Sequence, residues 1–219
     1  MKILLVTTDV AEIRWASGNG FLDGVITTPT LVRESSSDER ELLAEICRAA
    51  DAPVYVTVHA VSSDNAYRDG TELARLSDQI VVQIPLVEDT VAAVRRLTSE
   101  GVRVASLLVF NAAQALLAAK AGASAVIVAV DNLDDVGHSG MQIVRELRAV
   151  FDASGTECDI IALRPETAMQ FAECALAGAD AIAVTPTVIR HLLLHPLTDR
   201  GLDQLLGELS KQHSVWASA

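Results

Sequence analysis

The sequence predicts an α/β fold, a single (β/α)8 barrel of the TIM type with an extra C-terminal helix, on three observations. Eight short apolar runs recur along the 219 residues. Each run is followed by a segment with helical periodicity and helix punctuation. Half the residues are hydrophobic and only 4% aromatic, with Ala, Val and Leu making up the difference. Small and branched side chains of this kind suit helices packed closely on a parallel sheet.

The runs, in order, are Ile3–Val6, Gly24–Thr28, Val54–Val58, Ile80–Ile84, Arg103–Val109, Ala125–Val130, Asp159–Leu163 and Ala181–Val184. Strands that alternate with helices pair in parallel, because each return to the sheet needs a crossover. Ser37-Asp38-Glu39 opens a helix over Arg40–Ala50, and Asp89-Thr90 opens another over Val91–Glu100, with Gly101 as its stop. Gly122 and Gly178 close the helices before the sixth and eighth runs. A final helix is expected at about 198–212. The echo between Ala121–Val126 and Ala177–Ile182 reads as a recurrent helix-stop-strand joint. With no linker or composition break, residues 1–219 read as one domain, a length that suits one barrel. An open doubly wound sheet is the alternative, and the lack of a GxGxxG or GxxxxGK[ST] loop after the first run counts against it.

Seventeen basic against 29 acidic residues give a net charge of −12. Such a surface repels phosphate backbones and anionic lipid, so neither nucleic acid nor membrane is an expected partner. No apolar run approaches the roughly 18 residues of a membrane span. Cys47, Cys158 and Cys174 have neither metal-type spacing nor an even count. They read as packing residues in a reducing cytoplasm.

Five segments carry a resemblance that covers essentially the whole chain in order. They are Gly24-Val25-Ile26-Thr27-Thr28-Pro29-Thr30, Ile80-Val81-Val82-Gln83-Ile84-Pro85, the stretch from Leu108-Val109-Phe110 to Ala121-Gly122-Ala123, Leu133-Asp134-Asp135 with Gly140, and His195-Pro196-Leu197-Thr198-Asp199. They resemble, respectively, the GVTTNPS segment, the IVVKIP strand, the LVFSxxQALLAAKAGA stretch and the matching C-terminal segments of the small transaldolases and fructose-6-phosphate aldolases. The resemblance implies a barrel with its site at the C-terminal ends of the strands. It also implies a C-terminal helix reaching toward a neighbour, and ring-like homo-oligomers such as pentamers or decamers.

It further implies a lysine amine that attacks a ketone to form an iminium, and this lysine falls where the chain has Gln83. An amide is not nucleophilic and forms no imine. Three lysines exist, Lys2, Lys120 and Lys211, and none is expected at a strand's C-terminal end. The rest of the family's site departs as well: its first-strand aspartate is Val6, and the threonine and asparagine of GVTTNPS are Ile26 and Thr28. The third-strand acid or amide is Thr57, and the fifth-strand threonine is Leu107. The sixth-strand aromatic is Ala129, the phosphate-binding arginine is Asn132, and the Ser-x-Arg after the seventh strand reads Arg164-Pro165-Glu166.

Strand alternation from a lumen-facing Gln83 leaves a polar set at the mouth over an apolar floor of Val6, Ile26, Leu107 and Ala129. The catalytic candidates are His59, Gln83 and Asp131. Thr28, Thr57, Arg164 and Thr185 are the candidates for holding a small metabolite in the barrel mouth. His59 suits acid/base work, since imidazole titrates near neutrality; the alternative is a rim histidine with no role. Arg164 clamps an anion or pairs internally with Asp131 or Glu166. Gln83 orients a carbonyl or fills the lysine's space. Asp131 orients His59 or caps its loop. His138 reads as a surface turn residue. His59 and Asp131 are too few for a zinc site, so neither metal nor cofactor is expected. Three functions remain open: a repurposed lyase, isomerase or transferase working by non-covalent acid/base chemistry on a carbonyl-bearing or anionic metabolite; a pseudoenzyme serving as scaffold or ligand sensor; and a conventional transaldolase, which the missing lysine disfavours.

Overall fold

The computed structural model describes the chain apart from residues 36, 37, 136 and 217–219, with side chains through residue 209. Contacts divide it into two compact units, Met1–Pro186 and Thr187–Ala219. The first holds eight strands: β1 Lys2–Val6, β2 Gly24–Ile26, β3 Val54–Thr57, β4 Ile80–Pro85, β5 Val104–Leu107, β6 Ala125–Ala129, β7 Asp159–Leu163 and β8 Ala181–Val184. They pair in sequence order, all parallel, and β8 closes on β1. The barrel is the expected one, and the open sheet is excluded. The crossovers carry α1 Val10–Gly18, α2 Pro29–Glu34, α3 Glu39–Ala50, α4 Ser63–Ala74, α5 Glu88–Ser99, α6 Ala112–Ala121, α7 Val130–Asp135, α8 Gly140–Ser154 and α9 Ala168–Leu176.

Alternate residues of each strand face inward, where Leu4, Val6, Ile26, Tyr55, Val81, Ala105, Ile127, Ile161 and Ala183 fill the lumen. The residues between them, such as Leu5, Val25, Val82, Val126 and Ile160, are buried too and face the helices. Burial on both faces explains why the strands read as continuous apolar runs. Glycine is required at position 24, opposite Leu4 on β1: a Cβ there would lie 2.8 Å from Leu4 Cδ2 and 2.9 Å from the Pro53 carbonyl oxygen.

Several strands end sooner than their apolar runs. Thr28 is the N-cap of α2, accepting from the Leu31 N–H at 3.3 Å, and so belongs to the helix start. Val130 is the first residue of α7. β5 stops at Leu107 because Leu108 takes a left-handed φ of 58°. Hydrophobicity continues through these positions, so the pattern overruns the backbone's own stop. Of the expected opening of α3, Ser37 lies outside the described residues; Asp38 caps the helix through the N–H groups of Arg40 and Glu41.

The second unit contains most of α10 Pro186–Leu192 and all of α11 Pro196–Trp216, a longer terminal helix than the expected 198–212. Leu197, Leu202, Leu205, Leu206 and Leu209 are all exposed along α11. Among the described residues, no helix is long and apolar enough to cross a membrane.

Candidate functional site

In this fold the strands' C-terminal ends gather loops over a packed core, and polar side chains that reach inward there are the candidates for chemistry. Gln83 is one of them. It follows lumen-facing Val81 by two residues on β4, lies beside Thr57 of β3 and Ala105 of β5, and is 2% exposed. Its Nε2 has no hydrogen-bond partner. An unpaired buried amide costs about 1–3 kcal/mol, so its retention in an otherwise apolar lumen calls for a reason. Thr57 continues the inward row above Tyr55 and is half-buried. Thr28, the N-cap of α2, and the exposed Thr185 lie just past the ends of β2 and β8, at the mouth but beyond the reach of strand alternation.

His59 does not join this set. Alternation would turn it inward, but β3 ends at Thr57 and the chain turns toward α4. The imidazole Nε2 lies 3.1 Å from Glu39 Oε1 of α3 and lines a groove of about 170 Å³ with Arg40, Leu43, Asp69, Glu72, Leu73 and Leu76. These are side chains of α3, α4 and the turn after α4, so His59 faces the helical layer and its expected lumen role is corrected. Nothing in the sequence around His59 or Glu39 announced this pairing.

Arg164 and Asp131 also arrive by a route that simple alternation misses. On β7 the inward residues are Ile161 and Leu163, so a continued strand would send Arg164 outward. The chain instead leaves the strand at Arg164 with φ 65°, and Nη1 reaches Asp131 Oδ2 at 3.4 Å. Asp131 lies in the first turn of α7 instead of on β6. Its Oδ1 is buried and unpartnered. The internal ion pair is therefore the observed state of Arg164, whose side chain remains 54% exposed. Asp131 pairs with Arg164, and the orientation of His59 expected of it does not occur. Leu108 and Arg164 are the strained non-glycine positions at strand ends, and strain of this kind collects at binding sites. Nothing in the sequence around Leu108 announced it. Ser106 Oγ is a further buried orphan, but its neighbours Ala105 and Leu107 take the inward places, so it faces the helices.

The opposite end of the lumen is closed by charge. Lys2 Nζ lies 2.8 Å from Asp159 Oδ2, at the starts of β1 and β7. The hydrogen bond that Lys2 donates to Asp159 raises the Lys2 pKa, with burial opposing. A raised pKa keeps the amine protonated, the reverse of what a nucleophilic lysine requires. The cysteines are no better placed as nucleophiles. Burial, with the nearby Asp159 and Asp180 carboxylates, pushes the Cys158 thiol up to about 12; burial and Glu173 push Cys174 up to about 11. Among the described residues no group of three or more His, Cys, Asp or Glu side chains could hold a metal ion.

The sequence profile of the family described as Transaldolase/Fructose-6-phosphate aldolase matches residues 3–217. A probable transaldolase of Hyphomonas neptunium is 39% identical over 211 residues, covering 96% of this chain and 98% of its own. One of Caulobacter vibrioides is 38% identical over 218 residues, covering 100% and 97%. Among solved structures, a cube-shaped, highly porous protein cage designed by fusing symmetric oligomeric domains matches at TM-score 0.64 and 16% identity, over 99% of this chain and 78% of that one. A structure described as native KDPGal matches at TM-score 0.60 and 17% identity, over 84% and 82%. These two likenesses concern the fold. The chain belongs to the transaldolase/fructose-6-phosphate aldolase family.

Proposed function

We propose that this family member has left the imine mechanism and acts on a small carbonyl-bearing or anionic metabolite by non-covalent chemistry in the barrel mouth. The observation that carries the reading is the Gln83 amide, buried in the lumen with its Nε2 unpartnered. It stands where the family resemblance sets the reactive lysine. A carbonyl or carboxylate oxygen would satisfy that N–H.

No other amine stands in for the missing one in this reading. Lys2 is held by Asp159 at the strand starts. Lys120, at the end of α6, lines a groove with Leu117, Val91 and Arg95 outside the barrel wall. Lys211 belongs to α11. With His59 turned to the helices, the acid/base role passes to Asp131, whose unpartnered oxygen can take a proton or a hydroxyl hydrogen bond while Arg164 holds the other. Thr57, Thr28 and Thr185 supply hydroxyls around the mouth. Lyase, isomerase or transferase reactions are all compatible with one carboxylate and one amide donor.

A second reading, a ligand sensor or scaffold, draws support from the same displacement of His59, which removes one acid/base group from the mouth. The exposed leucines of α11 favour an assembly of several copies under either reading, since an apolar helix face is normally covered.

The test is Gln83→Lys. Restoring the amine alone gives no aldolase turnover of fructose 6-phosphate, because Val6, Ile26, Leu107 and Ala129 around it supply no proton transfer. Brisk turnover by this single variant would refute the reading.

A further inference from the structure

We infer that the groove between α5 and α6, on the outer wall of the barrel, binds a medium-chain carboxylic acid, with its tail along the helices and its carboxylate between Arg95 and Lys120. The groove encloses about 880 Å³, within the range of small-molecule sites. Val87, Val91 and Leu117 line it and are 42%, 36% and 64% exposed. Apolar side chains exposed singly need no explanation, but three along one groove form a patch. In α6, moreover, only Gln114 and Lys120 are polar, and the helix is apolar around its circumference. Such a helix is normally covered on all sides, yet in α6 only Ala115, Ala118 and Ala121 are buried.

The groove has a charged end. Each crossover helix runs from the C-terminal end of one strand back to the start of the next, so α5 and α6 both begin near the mouth. Arg95 and Lys120 lie in their later turns and share the end of the groove away from the mouth. Among the described residues, neither takes part in an ion pair. The helix neighbours explain this: Arg95 has Val91, Ala92, Thr98 and Ser99 three and four residues away, and Lys120 has Leu116, Leu117, Ala123 and Ser124. Lys120 also borders the adjoining groove that holds Glu157, without pairing with it. In a chain with 17 basic residues against 29 acidic, two unpaired cations on one groove are a local reversal of charge, suited to an anion. Glu88, the groove's own carboxylate, lies near the mouth, roughly 10 Å along α5 from Arg95. It repels an anionic head there and so fixes the direction in which the acid lies.

Length and charge select the occupant. From Val87 to Arg95 the groove follows α5 for about 12 Å, the reach of an extended acid of about eight carbons. A second copy's α11 is also apolar, but its 21 residues run about 30 Å. Its acids, Asp199, Asp203 and Glu208, are spread along the helix, whereas the groove gathers its cations at one end. An anionic membrane is opposed by the net charge of −12.

Calorimetric titration of the full chain with octanoate, octanamide and butyrate tests this. Octanoate is expected to bind at least about tenfold tighter than octanamide, the worth of one hydrogen bond to a charged group. It should also bind at least about tenfold tighter than butyrate, which leaves much of the apolar track uncovered. Arg95→Gln should weaken octanoate about tenfold and Leu117→Asp should abolish its binding; both positions are exposed, so the fold is kept. Equal affinity for the acid and the amide would overturn the inference, since the cations would then play no part. Octanoate binding that Leu117→Asp leaves unchanged would overturn it as well, by placing the acid elsewhere on the chain. So would failure of octanoate to bind; an assembly that Leu117→Asp then dissociates in sedimentation would make the groove an interface between copies.

Discussion

The two ends of the barrel are built on opposite terms. At the strand starts, charges are matched at close range: Lys2 with Asp159 at 2.8 Å, and Arg148 with Asp152 at 2.9 Å and Asp180 at 3.2 Å. Asp180 also accepts from the Ile160 N–H at 2.7 Å, tying the end of the last crossover back to β7, the strand that precedes it. At the strand ends, a buried amide nitrogen and a buried carboxylate oxygen have no partners. The ion pair there is longer, at 3.4 Å, and two non-glycine residues hold left-handed backbone. The strand starts have exceptions of their own, since Arg148 Nε meets Asp152 without hydrogen-bond geometry and Asp51, just before β3, holds φ 45°, but their charges are paired, while Gln83 Nε2 at the other end has no partner. Unsatisfied groups and strain persist where something outside the chain completes them.

Substitutions that treat the two ends alike should therefore give opposite signs. Ile161→Ala empties space in the fully buried lumen wall and should cost about 3 kcal/mol in chemical denaturation. A loss under about 1 kcal/mol would mean that the lumen core is loosely packed. Gln83→Leu, one layer nearer the mouth, should stabilise the unliganded protein by about 1–2 kcal/mol, because an unpaired amide gives way to an apolar side chain of similar size. Destabilisation by this variant would show that the amide is satisfied, and the contrast between the ends would fail.

The smallest effect concerns the thiol beside the paired end. Burial raises Cys158 from 9.0 to about 12, so the unfolded chain loses this proton at lower pH than the folded one. Its contribution is complete below pH 9.0 and is lost as pH rises toward about 12. The loss is at most about 1.4 kcal/mol per pH unit. Unfolding titrations should fall more steeply over that range for the wild type than for Cys158→Ala. Parallel curves would place the thiol in solvent.

The barrel was legible because strands buried on both faces write themselves as apolar runs, and because Asp38 stands where a helix must start. Ile80–Pro85 and Asp159–Leu163 needed nothing beyond that pattern. The mouth was legible only as far as the strands extend. Alternation placed Gln83 and Thr57 on the lumen side, because both lie within strands. It misdirected His59 and misplaced Arg164, because each lies past the last paired residue, where φ and not pleat decides direction. Glu39 is distant in sequence from His59 and carries no periodic mark, so their pairing is a tertiary fact. The left-handed turns at Leu108 and Arg164 fall on residue types that do not advertise them.

The central claim is that chemistry at this mouth proceeds without a covalent bond to the protein. Incubation of the full chain with dihydroxyacetone and borohydride, followed by intact-mass measurement and peptide mapping, tests it most directly. The account predicts an unchanged mass. A reduced adduct mapped to Lys2, Lys120 or Lys211 would contradict it and return the chain to the imine chemistry of its family.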